Sequence, residues 1–195
     1  MDKVILFDLD GVLALPEEAF SIIYTKSRGY DIKPFIHFFE NEWVNFVTGR
    51  ADIKQHITEN PNFWKWDGTP DELLSFWFKA EDVKNDPLLD IIHSARKDGF
   101  KCYVATEQEK YRTGYIRDVM FGNEFDGVFS TAEIGYRKND PKFYEAILES
   151  LNIPPSQVAF FDDSQSKIDT ALKSGINAQL YQDVEQVRSF VSSSE

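Results

Sequence analysis

The chain has little cysteine, little positive charge and no long apolar run. Cys102 is the only cysteine among 195 residues, so no disulfide can form within the chain and a reducing compartment is expected. No apolar run is long enough to span a bilayer and no signal peptide is evident, which predicts a cytoplasmic protein. The formal net charge of −12 argues against nucleic acids and anionic membranes as partners.

The pattern of apolar and polar residues divides the chain into two kinds of region. Short apolar runs alternate with helical patterns from about residue 86 onward, and one more such run, 4–7, opens the chain; the later runs are 101–106, 127–130, 158–161 and 178–181. Strands that alternate with helices predict a parallel sheet with helices on both faces, a three-layer doubly wound α/β fold. Residues 1–15 and 86–195 are therefore expected to form one core domain.

Residues 16–85 contain helical patterns and no alternating strand, and we interpret them as a small helical insertion after the first strand. Thr69 followed by Pro70 predicts a helix start there, and Asp140 followed by Pro141 predicts another in the core. A further helix is predicted over 111–121. The many aromatic residues of the insertion are expected to form its own core, with a minority facing a substrate pocket.

Acidic and hydroxyl side chains follow the predicted strands. Asp8 and Asp10 come directly after the first strand, Thr106 ends the second, and the pair Asp162-Asp163 ends a later one. On an extended backbone Asp8 and Asp10 point the same way, and two such charges need a cation or a proton between them. Hard oxygen ligands favour Mg²⁺. Because ligands of parallel sheets bind at the carboxyl ends of the strands, these residues are expected to form one site.

Four segments, taken together and in order, resemble the haloacid dehalogenase-like superfamily. Its motifs are similar to Phe7-Asp8-Leu9-Asp10-Gly11-Val12, Val104-Ala105-Thr106, Gly135 to Tyr144 around Lys138, and Phe160-Phe161-Asp162-Asp163-Ser164. Within the superfamily the chain looks most like the small helical-cap phosphatases, such as the α-glucose-1-phosphate phosphatases. The insertion 16–85 is similar to their cap in position and length only.

The resemblance implies a magnesium-dependent phosphatase that acts on a small phosphomonoester, such as a sugar phosphate, through an aspartyl-phosphate. Asp8 is then the nucleophile, Asp10 the general acid and base, and Thr106 and Lys138 the partners of the phosphoryl group. Mg²⁺ is expected at Asp8, the backbone carbonyl of Asp10, Asp163 and Asp162. Further contacts to the substrate or its phosphate are expected from Leu9, Glu107 and Arg50.

Two residues depart from the family pattern, and two other functions stay open. Glu107 stands where the family often has asparagine, and Lys167 stands where aspartate or asparagine is frequent. A phosphomutase would use the same four motifs, and a non-catalytic relative would bind a phosphorylated ligand without turning it over. The expected partner is a small phosphorylated metabolite, and the chain is expected to be a monomer or a homodimer.

Overall fold

A five-stranded parallel sheet lies at the centre of the computed structural model, which describes residues 4–193. The strand order is β3-β2-β1-β4-β5, and the strands are β1 Val4–Phe7, β2 Lys101–Thr106, β3 Gly127–Ser130, β4 Val158–Asp162 and β5 Asn177–Leu180. All five predicted strands are confirmed. The last begins and ends one residue earlier than expected, although the N–H of Tyr181 still donates to the carbonyl of Asp162 at 2.9 Å.

Helices cover both faces of the sheet, and six further helices follow β1 among the described residues. They are α1 Phe20–Arg28, α2 Lys33–Asn41, α3 Trp43–Val47, α4 Ile53–Glu59, α5 Pro61–Trp64, α6 Pro70–Ala80, α7 Asp86–Lys97, α8 Lys110–Tyr115, α9 Thr131–Ile134, α10 Pro141–Leu151, α11 Gln165–Lys173 and α12 Val184–Ser193. Short 3₁₀ turns span Gly122–Glu124 and Pro155–Gln157.

Two helix starts predicted from the sequence are confirmed, and one predicted helix differs in part from the structure. Thr69 caps α6 and Asp140 caps α10, each accepting a backbone N–H, so both predicted starts are confirmed. The single helix predicted over 111–121 is instead α8 followed by a π-helical turn, Ile116–Met120. There the N–H of Phe121 donates to the carbonyl of Ile116, five residues back, which widens the last turn.

Each strand of the sheet sends alternate side chains to opposite faces. In β1, Ile5 and Phe7 join a buried cluster with residues of α7 and α12, whereas Val4 and Leu6 join a second cluster with residues of α10 and α11. The hydrophobic cores therefore lie on both sides of one sheet. The predicted three-layer α/β fold with a doubly wound parallel sheet is confirmed.

Helices α1–α6 form what we call the helical segment, residues 16–85. It has a third hydrophobic cluster, built mostly from buried aromatic rings such as Phe20, Phe38 and Trp64. The two connections to the sheet run side by side, since the N–H of Leu15 donates to the carbonyl of Val83 at 2.8 Å. The side chain of Asn85 also donates to the carbonyl of Val12 at 2.9 Å.

The expected core domain, 1–15 and 86–195, includes residues 1–3 and 194–195, which lie outside the described residues. Within the described part of the chain, every helix is too short or too polar to cross a bilayer.

Candidate active site

The carboxyl ends of three neighbouring strands bring the predicted site residues together. Phe7 of β1 is paired with Val104 of β2 on one side and with Phe161 of β4 on the other. Asp8, Thr106 and Asp162 consequently emerge at one edge of the sheet. This shared edge, at the point where the chain crosses from one side of β1 to the other, is where α/β proteins bind ligands.

Lys138 lies at the centre of this edge and has no solvent-exposed surface. Its Nζ is 2.5 Å from Oδ1 of Asp8, 2.8 Å from Oδ2 of Asp162 and 3.3 Å from the carbonyl oxygen of Ala105. Burial by itself lowers the pKa of a lysine, but the two carboxylates outweigh it and raise the pKa of Lys138. The ammonium group therefore stays charged and holds the two aspartates in place.

Asp8 is buried and ionised. Burial favours its neutral form, but the ammonium groups of Lys138 and Lys167 together hold its pKa below the ordinary value. The N–H of Leu9 donates to Oδ1 of Asp8 at 2.7 Å. Leu9 is the residue whose backbone was expected to contact the phosphate. The Oδ2 atom lies 3.6 Å from Nζ of Lys167, so the carboxylate is oriented by groups on three sides.

Asp162 shares Lys138 with Asp8. Its burial raises the pKa to about 6, since the attraction of Lys138 is partly cancelled by the negative charge of Asp8. Oδ1 of Asp162 also accepts the N–H of Ser164 at 2.8 Å.

An acidic cluster of three aspartates can hold a cation. Asp8, Asp162 and Asp163 each present a carboxylate oxygen within 4.8 Å of the others. Gly11, at φ +79°, makes room for this cluster, because a Cβ there would lie 2.2 Å from Oδ2 of Asp163. Hard oxygen donors at this spacing fit Mg²⁺. The carboxylate of Asp10 is outside the cluster; the sequence had assigned only its backbone carbonyl to the metal.

Lys167 approaches the same cluster from α11. Its Nζ is 3.6 Å from Asp8 and 4.0 Å from Oδ1 of Asp162. The contact with Asp162 is therefore at the limit of ion-pair distance. Together with Lys138 it supplies two positive charges to three carboxylates.

Asp10 faces away from Lys138, toward the helical segment. Nε2 of Gln108 donates to its Oδ2 at 2.5 Å, and Arg112 lies 3.6 Å from its Oδ1. About half of the side-chain surface is open to the cleft. Burial of the carboxylate between protein groups nevertheless raises the pKa of Asp10; Arg112 opposes this shift and the charge of Asp8 adds to it.

Sequence reasoning missed Gln108, Arg112 and Glu81. Arg112 is buried and pairs with Glu81, which ties the end of α6 to α8 beside Asp10. An arginine in a helix after the second motif carries no distinctive pattern, and its acidic partner is 31 residues away. Only the position of Gln108, two residues after Thr106, offered a clue.

The remaining predicted residues divide between the site and its surroundings. The hydroxyl of Thr106 is buried without a hydrogen-bond partner in the described structure, as a donor reserved for a ligand would be. Glu107 pairs with Arg137, so its charge is compensated. Arg50 is exposed and lines a separate cavity of about 350 Å³ with Tyr136 and Arg137. Arg50 does not line the other cavity, of about 700 Å³, that opens beside Asp10.

Aspartates at the strand ends and a buried lysine thus meet at one edge of a doubly wound parallel sheet. The chain matches the haloacid dehalogenase-like hydrolases over residues 3–175, and it belongs to that family. The recognition made from the four sequence motifs is confirmed.

Individual relatives are distant. Bifunctional epoxide hydrolase 2 of Rattus norvegicus is 24% identical over 93% of this chain, and the match spans only 36% of that enzyme, about a third of its length. The phosphorylated carbohydrates phosphatase of Thermotoga maritima is 24% identical over 89% of this chain and 82% of its own.

Solved structures share the fold. A HAD family enzyme from Bacteroides thetaiotaomicron, in complex with magnesium and inorganic phosphate, superimposes with a TM-score of 0.78 at 17% identity. The match covers 93% of this chain and 95% of that one. The helical segment is thus included in the shared architecture.

Proposed function

We propose that the protein is a magnesium-dependent phosphatase that hydrolyses a small phosphomonoester through an aspartyl-phosphate intermediate. The observation that carries the proposal is the buried Lys138 between Asp8 and Asp162, beside the unpartnered hydroxyl of Thr106. A nucleophilic carboxylate, a fixed positive charge and a free donor are the groups that phosphoryl transfer needs. The Thermotoga maritima relative is named as a phosphatase of phosphorylated carbohydrates, which supports this chemistry.

In the proposed first step, a carboxylate oxygen of Asp8 attacks phosphorus and the bond from phosphorus to the alcohol oxygen breaks. Asp10 gives its proton to the leaving oxygen. Lys138 and the hydroxyl of Thr106 offset the charge on the phosphoryl oxygens. Gln108 and Arg112 position the Asp10 carboxylate on the side of the cleft from which the alcohol leaves.

In the second step, Asp10 takes a proton from water, which attacks the phosphorus of the aspartyl-phosphate. The bond between phosphorus and the Asp8 oxygen breaks, and inorganic phosphate and the Asp8 carboxylate are released.

The proposed metal site is the acidic cluster together with the backbone carbonyl of Asp10. Asp8, Asp162 and Asp163 fit a divalent cation by donor type and spacing. A bound Mg²⁺ would neutralise the carboxylates and polarise the phosphoryl group. Without such a charge, the acidic edge would repel a phosphate dianion.

We also propose that the helical segment, 16–85, acts as a cap over this edge. Its paired connections at Leu15 and Val83 lie next to the aspartates, and Tyr111 of α8 donates to Asp52 of the segment at 2.8 Å. Helices α1, α2 and α6 then cover the cleft from the side of Asp10. The substrate's alcohol portion would lie between the segment and the sheet.

The decisive experiment compares wild type with Asp8→Asn in the hydrolysis of p-nitrophenyl phosphate, with and without Mg²⁺. We expect turnover that requires Mg²⁺ and falls by roughly a thousandfold or more in the variant, because the amide is not a nucleophile. Asp98→Asn is the matched control, since Asp98 is exposed at the far end of α7 and should leave turnover unchanged. A folded wild type that hydrolyses none of several phosphomonoesters would contradict the proposal.

A further inference from the structure

A cavity of about 700 Å³ opens between the sheet edge and the helical segment. Asp10, Gly11, Glu107 and Gln108 form its base, and the loop after β1 with helices α1, α2, α3 and α6 forms its walls. The cavity begins on the side of Asp10 from which, in the proposed reaction, the alcohol leaves. It is therefore the space in which that alcohol would be held.

The walls of this cavity are apolar. They carry the side chains of Leu15, Phe20, Ile36, Phe39, Trp43 and Trp77. Leu15 and Ile36 are 46% and 45% exposed, although large aliphatic side chains are ordinarily buried. Apolar side chains left open inside a concave site, next to convergent polar groups, are typical of a ligand pocket.

Most of the carboxylates that line the cavity are already paired within the protein, whereas Glu40 is exposed and has no ion-pair partner among the described residues. Glu81 accepts from the N–H of Phe20, from Nε1 of Trp77 and from Arg112. Glu107 pairs with Arg137. Among the described residues that line the cavity there is no lysine or arginine. A second phosphate or a carboxylate on the substrate would find no cation there, and burying it unpaired would be costly.

Hydroxyl groups would find few partners along the walls, although Oε2 of Glu107, which is buried without a hydrogen-bond partner in the described structure, and the carboxylate of Glu40 are free to accept from a hydroxyl at the base or the edge of the cavity. The neutral polar side chains of the lining are Ser21 and Gln108, and Nε2 of Gln108 already donates to Asp10. A polyol placed against these walls would lose hydrogen bonds to water without replacing most of them. An apolar chain or ring would lose none, and would gain contact with the aromatic wall.

We infer that the alcohol portion of the substrate is apolar where it meets the walls, an aliphatic or aromatic group without a second negative charge. This deepens the proposed function and rests on it. It departs from the sugar phosphates that the resemblance implied.

The test is a series of ethyl-, butyl- and hexylphosphonate, whose binding to the wild-type protein in Mg²⁺ is measured by calorimetry. Phosphonates cannot be hydrolysed, so the result does not depend on turnover. We expect the affinity to rise about three- to fourfold for each added methylene, the gain typical of burying a CH₂ group. Affinity that stays flat with chain length, or no binding of hexylphosphonate, would overturn the inference even if p-nitrophenyl phosphate is hydrolysed.

Ile36→Asn makes the test specific to the wall. Because Ile36 is exposed, the variant should stay folded, and a thermal melt checks this. Its affinity for hexylphosphonate should fall about fivefold, close to the loss of one buried methylene or slightly more, while that for ethylphosphonate should change less than twofold. Val119→Asn is the control, since Val119 is 65% exposed outside the cavity and should change neither.

A turnover comparison gives a second readout. The kcat/KM for hexyl phosphate should exceed that for glucose 1-phosphate, because only the alkyl chain contacts the walls favourably. A higher kcat/KM for the sugar phosphate would overturn the inference while leaving the phosphatase proposal intact.

Discussion

The sheet edge and the helical segment differ in the interactions that stabilise their buried side chains. At the edge, Lys138, Asp8 and Asp162 are charged and almost free of solvent, and they satisfy one another through two ion pairs. In the helical segment, rings such as those of Phe38 and Trp64 fill the interior, and many pack edge to face or tilted. The first region depends on a matched set of charges, the second on shape and volume.

This contrast bears on function. A buried ion pair is sensitive to the loss of either partner, because the remaining charge is left without compensation. An aromatic core tolerates a change of size more gradually. We infer that chemistry is concentrated at the sheet edge, and that the wall of the helical segment can vary to suit different alcohols without loss of the catalytic groups.

The largest loss of stability is expected at the sheet edge, for Lys138→Met. Methionine has a similar length but leaves Asp8 and Asp162 as neighbouring buried carboxylates, which should lower the free energy of unfolding by about 3–5 kcal/mol. Urea unfolding monitored by circular dichroism measures this. Lys173→Met, at an exposed position in the last turn of α11, is the matched control and should change little.

If the proposed metal site is real, Mg²⁺ should restore part of the stability lost in Lys138→Met, since it supplies positive charge to the same carboxylates. A variant as stable as wild type would show that the ion pairs contribute nothing to the fold, and would remove the contrast.

An intermediate effect is expected in the helical segment for Trp64→Phe. Trp64 is fully buried and its Nε1 donates to Nδ1 of His56 at 3.1 Å, so a smaller ring leaves a void and an unpartnered imidazole nitrogen. The expected loss is roughly 1–2 kcal/mol. Trp66→Phe, at a partly exposed ring of the same segment, should cost less than half as much.

Tryptophan fluorescence reports this region selectively. All four tryptophans, Trp43, Trp64, Trp66 and Trp77, lie in the helical segment. If the segment is the weaker unit in Trp64→Phe, the fluorescence midpoint in urea will precede the circular dichroism midpoint. Coincident midpoints would show that the two regions unfold as one.

The smallest effect is expected for Lys167→Asn, which restores a residue type frequent in the family. Lys167 lies 3.6 Å from Asp8, so its charge opposes a cation bound at the acidic cluster. Removing that charge should tighten Mg²⁺ binding by roughly threefold, measured by calorimetry. Lys173→Asn serves as control. An unchanged affinity would mean that Lys167 moves away when the metal binds.

Local patterns were enough to predict much of the fold. Apolar runs placed the strands, and the pairs Thr69-Pro70 and Asp140-Pro141 placed two helix starts, because strand and cap preferences act over a few residues. The strand ends located Asp8, Thr106 and Asp162 at one edge, since parallel strands align their carboxyl ends, whereas Lys138 was expected there only from the resemblance to the family.

The tertiary structure decided the contacts that join distant parts of the chain. Arg112 reaches Glu81 and Asp10 across 31 and 102 residues, and Gln108 reaches Asp10. The apolar wall is assembled from the loop after β1 and helices α1, α2, α3 and α6. Such pairings leave no periodicity in the sequence, because they arise only when residues far apart in the chain pack together. The sequence alone predicted most residues of the candidate site, and the tertiary packing determined what lies beside them.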